Sequence, residues 1–208
     1  RKPGEESGSS HPVASFKIHN KASILQTDFR THHAGLGNAT SASNIRESCE
    51  ILKREIAWNL VEGAVFEYGF FGTGWIACDA RQMAVLGKGE TLNYRLAGAK
   101  AAPFRNRAAL IIDEDSVKHT IQKTALFRMF VKEIKNELPH TGFGYDIFLA
   151  ESLEQIPDDY RFYIFANNYL ITPEQKRGLE KRFKKNGNTL LFLHAPGITN
   201  GKELSLNQ

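Results

Sequence analysis

Cysteine is scarce, with two residues, Cys49 and Cys78, in a chain of 208. Two thiols cannot staple a disulfide framework, and neither has the paired spacing of a structural zinc site. Cys49 falls on the apolar stripe of a predicted helix, so buried rather than reactive thiols are expected. Long apolar runs are missing as well. No stretch approaches the roughly 18 apolar residues of a membrane helix, and Arg1 to Ser10 is polar, so neither a membrane span nor a signal peptide is predicted. No compartment follows from this. Neither sign of charge dominates: 27 Lys and Arg against 23 Asp and Glu give a net charge of +4. The densest basic cluster, Lys176, Arg177, Lys181, Arg182, Lys184 and Lys185, sits on a predicted helix that also has Leu179 and Phe183 to bury. With no aromatic interleaving, it reads as a solvated outer face and not as a nucleic-acid surface. What remains is an ordinary globular composition, 41% hydrophobic and 24% charged, sized for one large or two small domains.

The order of elements is informative. After a Gly/Ser/Glu/Lys-rich lead-in, Val13, Phe16 and His19 suggest a short helical face. A strand over Ala22 to Gln26 follows, then a charged cluster and a Gly/Ser/Asn-rich loop from Gly35 to Ser43. With Ser43 as its cap, a helix is predicted from Ile45, Cys49, Leu52, Ile56 and Leu60, and Gly63 stops it. Ala64 to Phe71 reads as a strand ending in Gly72-Thr73-Gly74-Trp75. Residues 79 to 96 look weakly helical, interrupted by Gly87 and Gly89, and the small-residue stretch around 97 to 107 marks a boundary. Beyond it the spacing predicts strands at Ala108 to Ile112, Tyr145 to Leu149, Tyr160 to Ala166 and Thr189 to His194. It also predicts one long helix from about Ser116 to Leu138, with Val117, Ile121, Ala125, Phe130 and Ile134 inward. A second helix starts at Thr172-Pro173-Glu174-Gln175, which joins an N-cap, a proline at the first helical position and a capping-box Gln. Alternating strands and helices imply an α/β fold. The first half supplies too few strands to close a barrel, and the second forms a doubly wound, flavodoxin-like sheet.

The chemistry concentrates in Asp28-Phe29-Arg30-Thr31-His32-His33, at the C-terminal end of the first strand, where α/β barrels keep their active sites. Asp28 and Arg30 suit a polar ligand such as a sugar, bound by charge-assisted hydrogen bonds with Trp75 stacked on its apolar face. They equally suit an ion pair that pins the loop. Asp28, His32 and His33 are also of metal-ligand type, but the spacing matches no strong signature, and neither a metal nor another cofactor is assigned. Glu67, inside the second strand, is a candidate acid or base if it is buried, and its position suits equally a side chain that points outward to helix-side solvent. Asp113, Glu114 and Asp115 open a helix, where acids complement the macrodipole. Asn167 and Asn168 stand where amidotransferase-type folds carry a cysteine elbow, so a nucleophile is not expected there.

These segments resemble a known family. Ser15-Phe16-Lys17-Ile18-His19-Asn20-Lys21, Asp28-Phe29-Arg30-Thr31-His32, Glu50-Ile51-Leu52-Lys53-Arg54-Glu55 and Gly72-Thr73-Gly74-Trp75 resemble the closing part of the catalytic barrel in β-galactosidase-like glycoside hydrolases related to family 42. Residues 163 to 172 and Leu193-His194-Ala195-Pro196-Gly197 are similar to the trimerisation domain that follows that barrel, of class I glutamine-amidotransferase-like fold. The resemblance implies terminal barrel segments over residues 1–104, the trimerisation-type domain over 105–200 and a tail over 201–208. It also implies a carbohydrate ligand contacted by Asp28, Arg30, His32 and Trp75, with homo-oligomerisation through the second domain. Alignment on the Asp-x-Arg-Thr-His motif puts Gln26 where the family nucleophile glutamate is expected, and a small shift gives Glu67 an acidic role near Phe70. An amide is no such nucleophile, and the acid/base strand lies earlier in the barrel, so the chain is expected not to hydrolyse glycosides by itself. A noncatalytic sugar-binding or subunit-assembly module is the alternative.

Overall fold

The structure, a computed structural model, describes residues 11–27, 30–34, 42–68, 79–97, 108–121, 123–185 and 187–204. It is an α/β protein whose strands pair in parallel. The described residues fall into two compact units, one within Ala22–Pro103 and one formed by Phe104–Gln208 together with Ser10–Lys21.

The first unit is built from β1 (Ile24–Thr27), α2 (Ile45–Glu62), β2 (Val65–Tyr68) and α3 (Ala80–Ala97). Strands β1 and β2 pair in the register Ile24 to Val65, Leu25 to Phe66, Gln26 to Glu67 and Thr27 to Tyr68. The side-chain period of two sends Leu25, Thr27, Phe66 and Tyr68 to one face, where Tyr68 joins Ile51, Leu52 and Ile56 of α2 in a core. The cap of α2 is Asn44, not the expected Ser43: Glu47 N donates to the Asn44 side chain at 3.0 Å, while Ser43 N donates to the Glu47 carboxylate. Gly63 ends the helix at φ 61°, a left-handed stop that favours glycine. Helix α3 runs unbroken through Gly87 and Gly89 despite the interruption expected there. Gly89 has a packing role, because a Cβ on it would lie 2.9 Å from Cγ2 of the buried Ile56. Cys49 is half-buried and free rather than fully buried. Cys78 lies outside the described residues.

The second unit holds a four-stranded parallel sheet in the order β4 (Tyr145–Leu149), β3 (Ala108–Ile112), β5 (Phe162–Phe165), β6 (Thr189–Phe192). All five residues of β3 are buried, as a continuous apolar run covered on both faces requires. Ala109, Ile111, Tyr163 and Phe165 pack on one side with Leu153, Ile156 and Leu179, and Leu110, Ile112, Ile147 and Ile164 pack on the other with Leu138. The short α1 (Val13–Ile18) belongs to this unit: Leu149 N donates to Ser15 Oγ at 2.7 Å, and Ala14 and Ile18 rest on the first of these clusters.

The long helix expected over Ser116 to Leu138 is replaced by short pieces. Helix α4 (Glu114–Lys118) stops after about one turn, and Thr124 then caps α5 (Ala125–Phe127). A π-helical stretch over Arg128–Glu133 and α6 (Ile134–Glu137) follow. The hydroxyls of Thr120 and Thr124 donate to the carbonyls of Val117 and Ile121, competing with the helical ladder at the break. Ile121 and Ala125, expected inward, are exposed as a result. Helix α7 (Pro173–Phe183) carries the expected capping box, Thr172 with Gln175, and Pro173 in its first turn. Its basic residues are not all solvated: Arg182 is fully buried.

Candidate functional site

The alternation in β1 and β2 turns Gln26 and Glu67 together onto the face away from α2. Gln26 Nε2 donates to Glu67 Oε1 at 3.4 Å, a long, exposed contact. Ile24 and Val65 flank it on the same face at 61% and 54% exposure, so this side of the sheet is open among the described residues. Of the two readings of its strand position, Glu67 is therefore solvent-facing rather than buried, although on the face away from α2 and not on the helix side. Arg30 follows β1, half-buried, and its carbonyl accepts from Ala42 N at 2.9 Å. Asp28 and Trp75, the remaining expected sugar contacts, lie outside the described residues.

His32 takes a different neighbourhood from the Gln26–Glu67 pair. Its backbone N–H donates to Ser48 Oγ at 3.0 Å and its ring Nδ1 lies 2.9 Å from the same oxygen, which fixes the imidazole against the first turn of α2. The His33 ring sits beside it, with centroids 3.8 Å apart. Asp79, just ahead of α3, completes the group: one ligand-type atom from each of His32, His33 and Asp79 lies within 4.8 Å of the others. Arg81 holds the Asp79 carboxylate in a fork, with Nε at 3.2 Å and an outer nitrogen at 3.0 Å, and Arg81 N adds a third bond at 2.8 Å. These bonds hold the Asp79 carboxyl well below the usual carboxylate range, at about 2. Burial, then the neighbouring His33, lowers the His32 pKa. The Cys49 thiol is pushed up, first by burial and then by the Asp79 charge. Sequence reading singled out His32 and His33 but missed Asp79 and Ser48. The available signal was an Asp at the start of the weakly predicted helix over 79 to 96, where an acid is ordinary and does not by itself announce a partner far along the chain.

In the second unit the strand order reverses between β3 and β5, the place where open α/β sheets receive ligands. Here the crevice is filled by the protein's own polar groups. Asp113 N donates to the Asn167 side chain at 2.9 Å, and Asn167 Nδ2 donates to Asp113 O at 2.8 Å. The Asp113 carboxylate accepts from Ser116 Oγ at 2.5 Å, Asp115 N at 3.2 Å and Gln175 Nε2 at 3.4 Å. Asp113 is buried, and burial raises its pKa against the opposing pull of those donors. Asn167 thus clasps the two strand ends, a structural role in keeping with the lack of a nucleophilic side chain there. Nearby, a cavity of about 300 Å³ is lined by Ile112, Val117, Val131, Ile147 and Lys135, and burial lowers the Lys135 pKa.

No helix among the described residues is long and apolar enough to cross a membrane. No protein-family model matches the chain, and no curated protein matches it.

Proposed function

We propose that the chain is a carbohydrate-active, glycoside-hydrolase-related segment, with its first unit forming terminal βα elements of a β-galactosidase-like barrel wall. The second unit then corresponds to the flavodoxin-like, trimerisation-type domain of amidotransferase-like fold. Support comes from the motif resemblance and from the strand, helix, strand order of the first unit. The order β4-β3-β5-β6 adds to it, because the flavodoxin-like order likewise begins with its second strand beside its first and its third beyond.

The observation that carries the reading is the Gln26–Glu67 pair on the open face of β1 and β2. A carboxylate beside an amide offers acceptors and donors to sugar hydroxyls. Retaining hydrolysis needs two carboxyl groups about 5 Å apart, and this pair supplies one. The pair and Arg30 therefore bind sugar without cleaving it. His32 is left out of this set because its ring is engaged by Ser48 and clusters with His33 and Asp79.

Titration of the full chain with β-galactosides, followed by ligand-observed NMR, tests this. Saturable binding is expected, weakened about tenfold in Glu67→Gln, the equivalent of one charge-assisted hydrogen bond. Wild-type protein should not release nitrophenol from a nitrophenyl β-galactoside. Absence of saturable binding, or turnover by the wild-type protein, removes the reading.

The exposure of Ile24, Val65 and Val61 favours a second reading, a subunit-assembly module. Light scattering over a concentration series separates the two: this reading requires a mass above one chain, whatever the outcome with sugars.

A further inference from the structure

We infer that His32, His33 and Asp79 form a binding site for a divalent transition-metal ion of the zinc type. The inference goes beyond the sugar reading and does not depend on it, since none of the three residues belongs to the sugar-facing set.

Two imidazoles and one carboxylate are the ligand types that zinc and its first-row neighbours take, whereas magnesium and calcium prefer all-oxygen sets. Three protein ligands around zinc, with the fourth position left to water, are the arrangement of open zinc centres. Ligand atoms at roughly 2.0–2.2 Å from zinc stand about 3.3 Å from one another in a tetrahedron. The three candidate atoms lie within 4.8 Å of one another, so closure around an ion asks them to draw together by about 1.5 Å at most. The exposed His33 ring has room for that.

Two further features bear on the site. Ser48 pins the His32 imidazole through Nδ1, the orienting service that outer partners give to metal-bound histidines. Asp79 is fixed from the other side as the residue that opens α3, so elements distant in sequence converge with their ligand groups already placed. Arg81 works against a cation. Its guanidinium occupies two edges of the Asp79 carboxylate, yet its own side chain is 68% exposed and has solvent to swing into. A carboxylate has about four acceptor positions, so metal and Arg81 compete for Asp79 without excluding each other outright.

The rival explanation is a hydrogen-bonded polar cluster that binds no ion, and Arg81 separates the two. If the cluster is a metal site, removing Arg81 strengthens binding. If it is only a polar cluster, no variant changes zinc affinity.

The full chain, stripped with a chelator, is titrated with Zn²⁺ in competition with a chromogenic chelator, and Co²⁺ supplies a visible-absorption readout of coordination. One zinc per chain is expected, weakened at least tenfold in His33→Ala and in Asp79→Asn, and bound more tightly in Arg81→Ala. Asp79→Asn keeps an acceptor for Arg81 N, and circular dichroism checks that each variant stays folded. Failure of the wild-type chain to compete for micromolar Zn²⁺ overturns the inference. So does binding that is unchanged in both His33→Ala and Asp79→Asn, which would assign the ion to other histidines.

Discussion

Arg182 shows how far a charged residue can be from the surface role its neighbours suggest. Its side chain is fully buried, with an outer nitrogen donating to Leu153 O at 3.2 Å and to Ile156 O, the other reaching Asp158 at 2.6 Å, and the guanidinium over the Tyr163 ring. Asp158 is 59% exposed, so water screens the ion pair, while the bonds to the two carbonyls are shielded. Arg182→Ala should therefore cost about 2–4 kcal/mol by urea unfolding, from unmet carbonyls and lost packing. Asp158→Asn should cost far less, and equal losses would show that the ion pair dominates. Asp113 makes a second prediction at this scale. Its folded pKa is raised above the ordinary 3.8 by burial, so between those values the folded chain binds more protons than the unfolded chain. Its contribution to stability is then full below about 3.8 and is lost as pH rises through the folded value. The stability of wild type relative to Asp113→Asn, measured by denaturation from pH 3.5 to 7, should fall with rising pH, and a difference that grows with pH would contradict the assignment.

Among the elements, the two glycines of α3 separate propensity from packing. Nothing lies within 4 Å of a Cβ placed on Gly87, so Gly87→Ala should stabilise by about 0.5–1 kcal/mol, the ordinary helix-interior gain. At Gly89 the same methyl meets Cγ2 and Cδ1 of Ile56 at 2.9 and 3.0 Å. Ile56 is stiff at χ1 and packed in the α2 core, so it cannot yield cheaply. Thermal or urea unfolding should show Gly89→Ala destabilising, and equal gains at both positions would mean that α2 and α3 do not pack this closely. The same contrast explains what the sequence could reveal. Strands β3 and β4 coincide with their expected bounds because short runs rich in apolar and aromatic residues, fully buried in β3 and partly so in β4, are local signals. Helix α7 is equally legible from Thr172, Pro173 and Gln175. The break after α4 is not, because a helical apolar spacing at Val117, Ile121 and Ala125 is outweighed by threonine hydroxyls that bond back to the chain. In the candidate site, Glu67 could be singled out from its strand position and Gln26 only through the motif resemblance. Their pairing depends on register, and the approach of Asp79 to His32 and His33 depends on tertiary packing that no short window contains.

At the scale of the molecule, the two units protect their sheets to different degrees. In the second unit, β3 is paired on both edges and buried on both faces, so its amides can exchange only through large-scale opening. Among its described residues the first unit has two paired strands, covered by α2 on one side and open on the other at Ile24, Gln26, Val65 and Glu67. Sheets of two strands are marginal on their own, and much of the stability of β1 and β2 must come from the single face on α2. Hydrogen exchange read by mass spectrometry on dilute full chain should therefore give peptides spanning β1 and β2 that exchange orders of magnitude faster than those spanning β3 and β5. If the open face is where a larger wall or another copy of the chain adds, raising the protein concentration should slow β1 and β2 while leaving β3 unchanged. Equal protection of β1 and β3 at high dilution would mean that the Gln26–Glu67 face is already covered within one chain, and the open-wall reading of the first unit would fall with it.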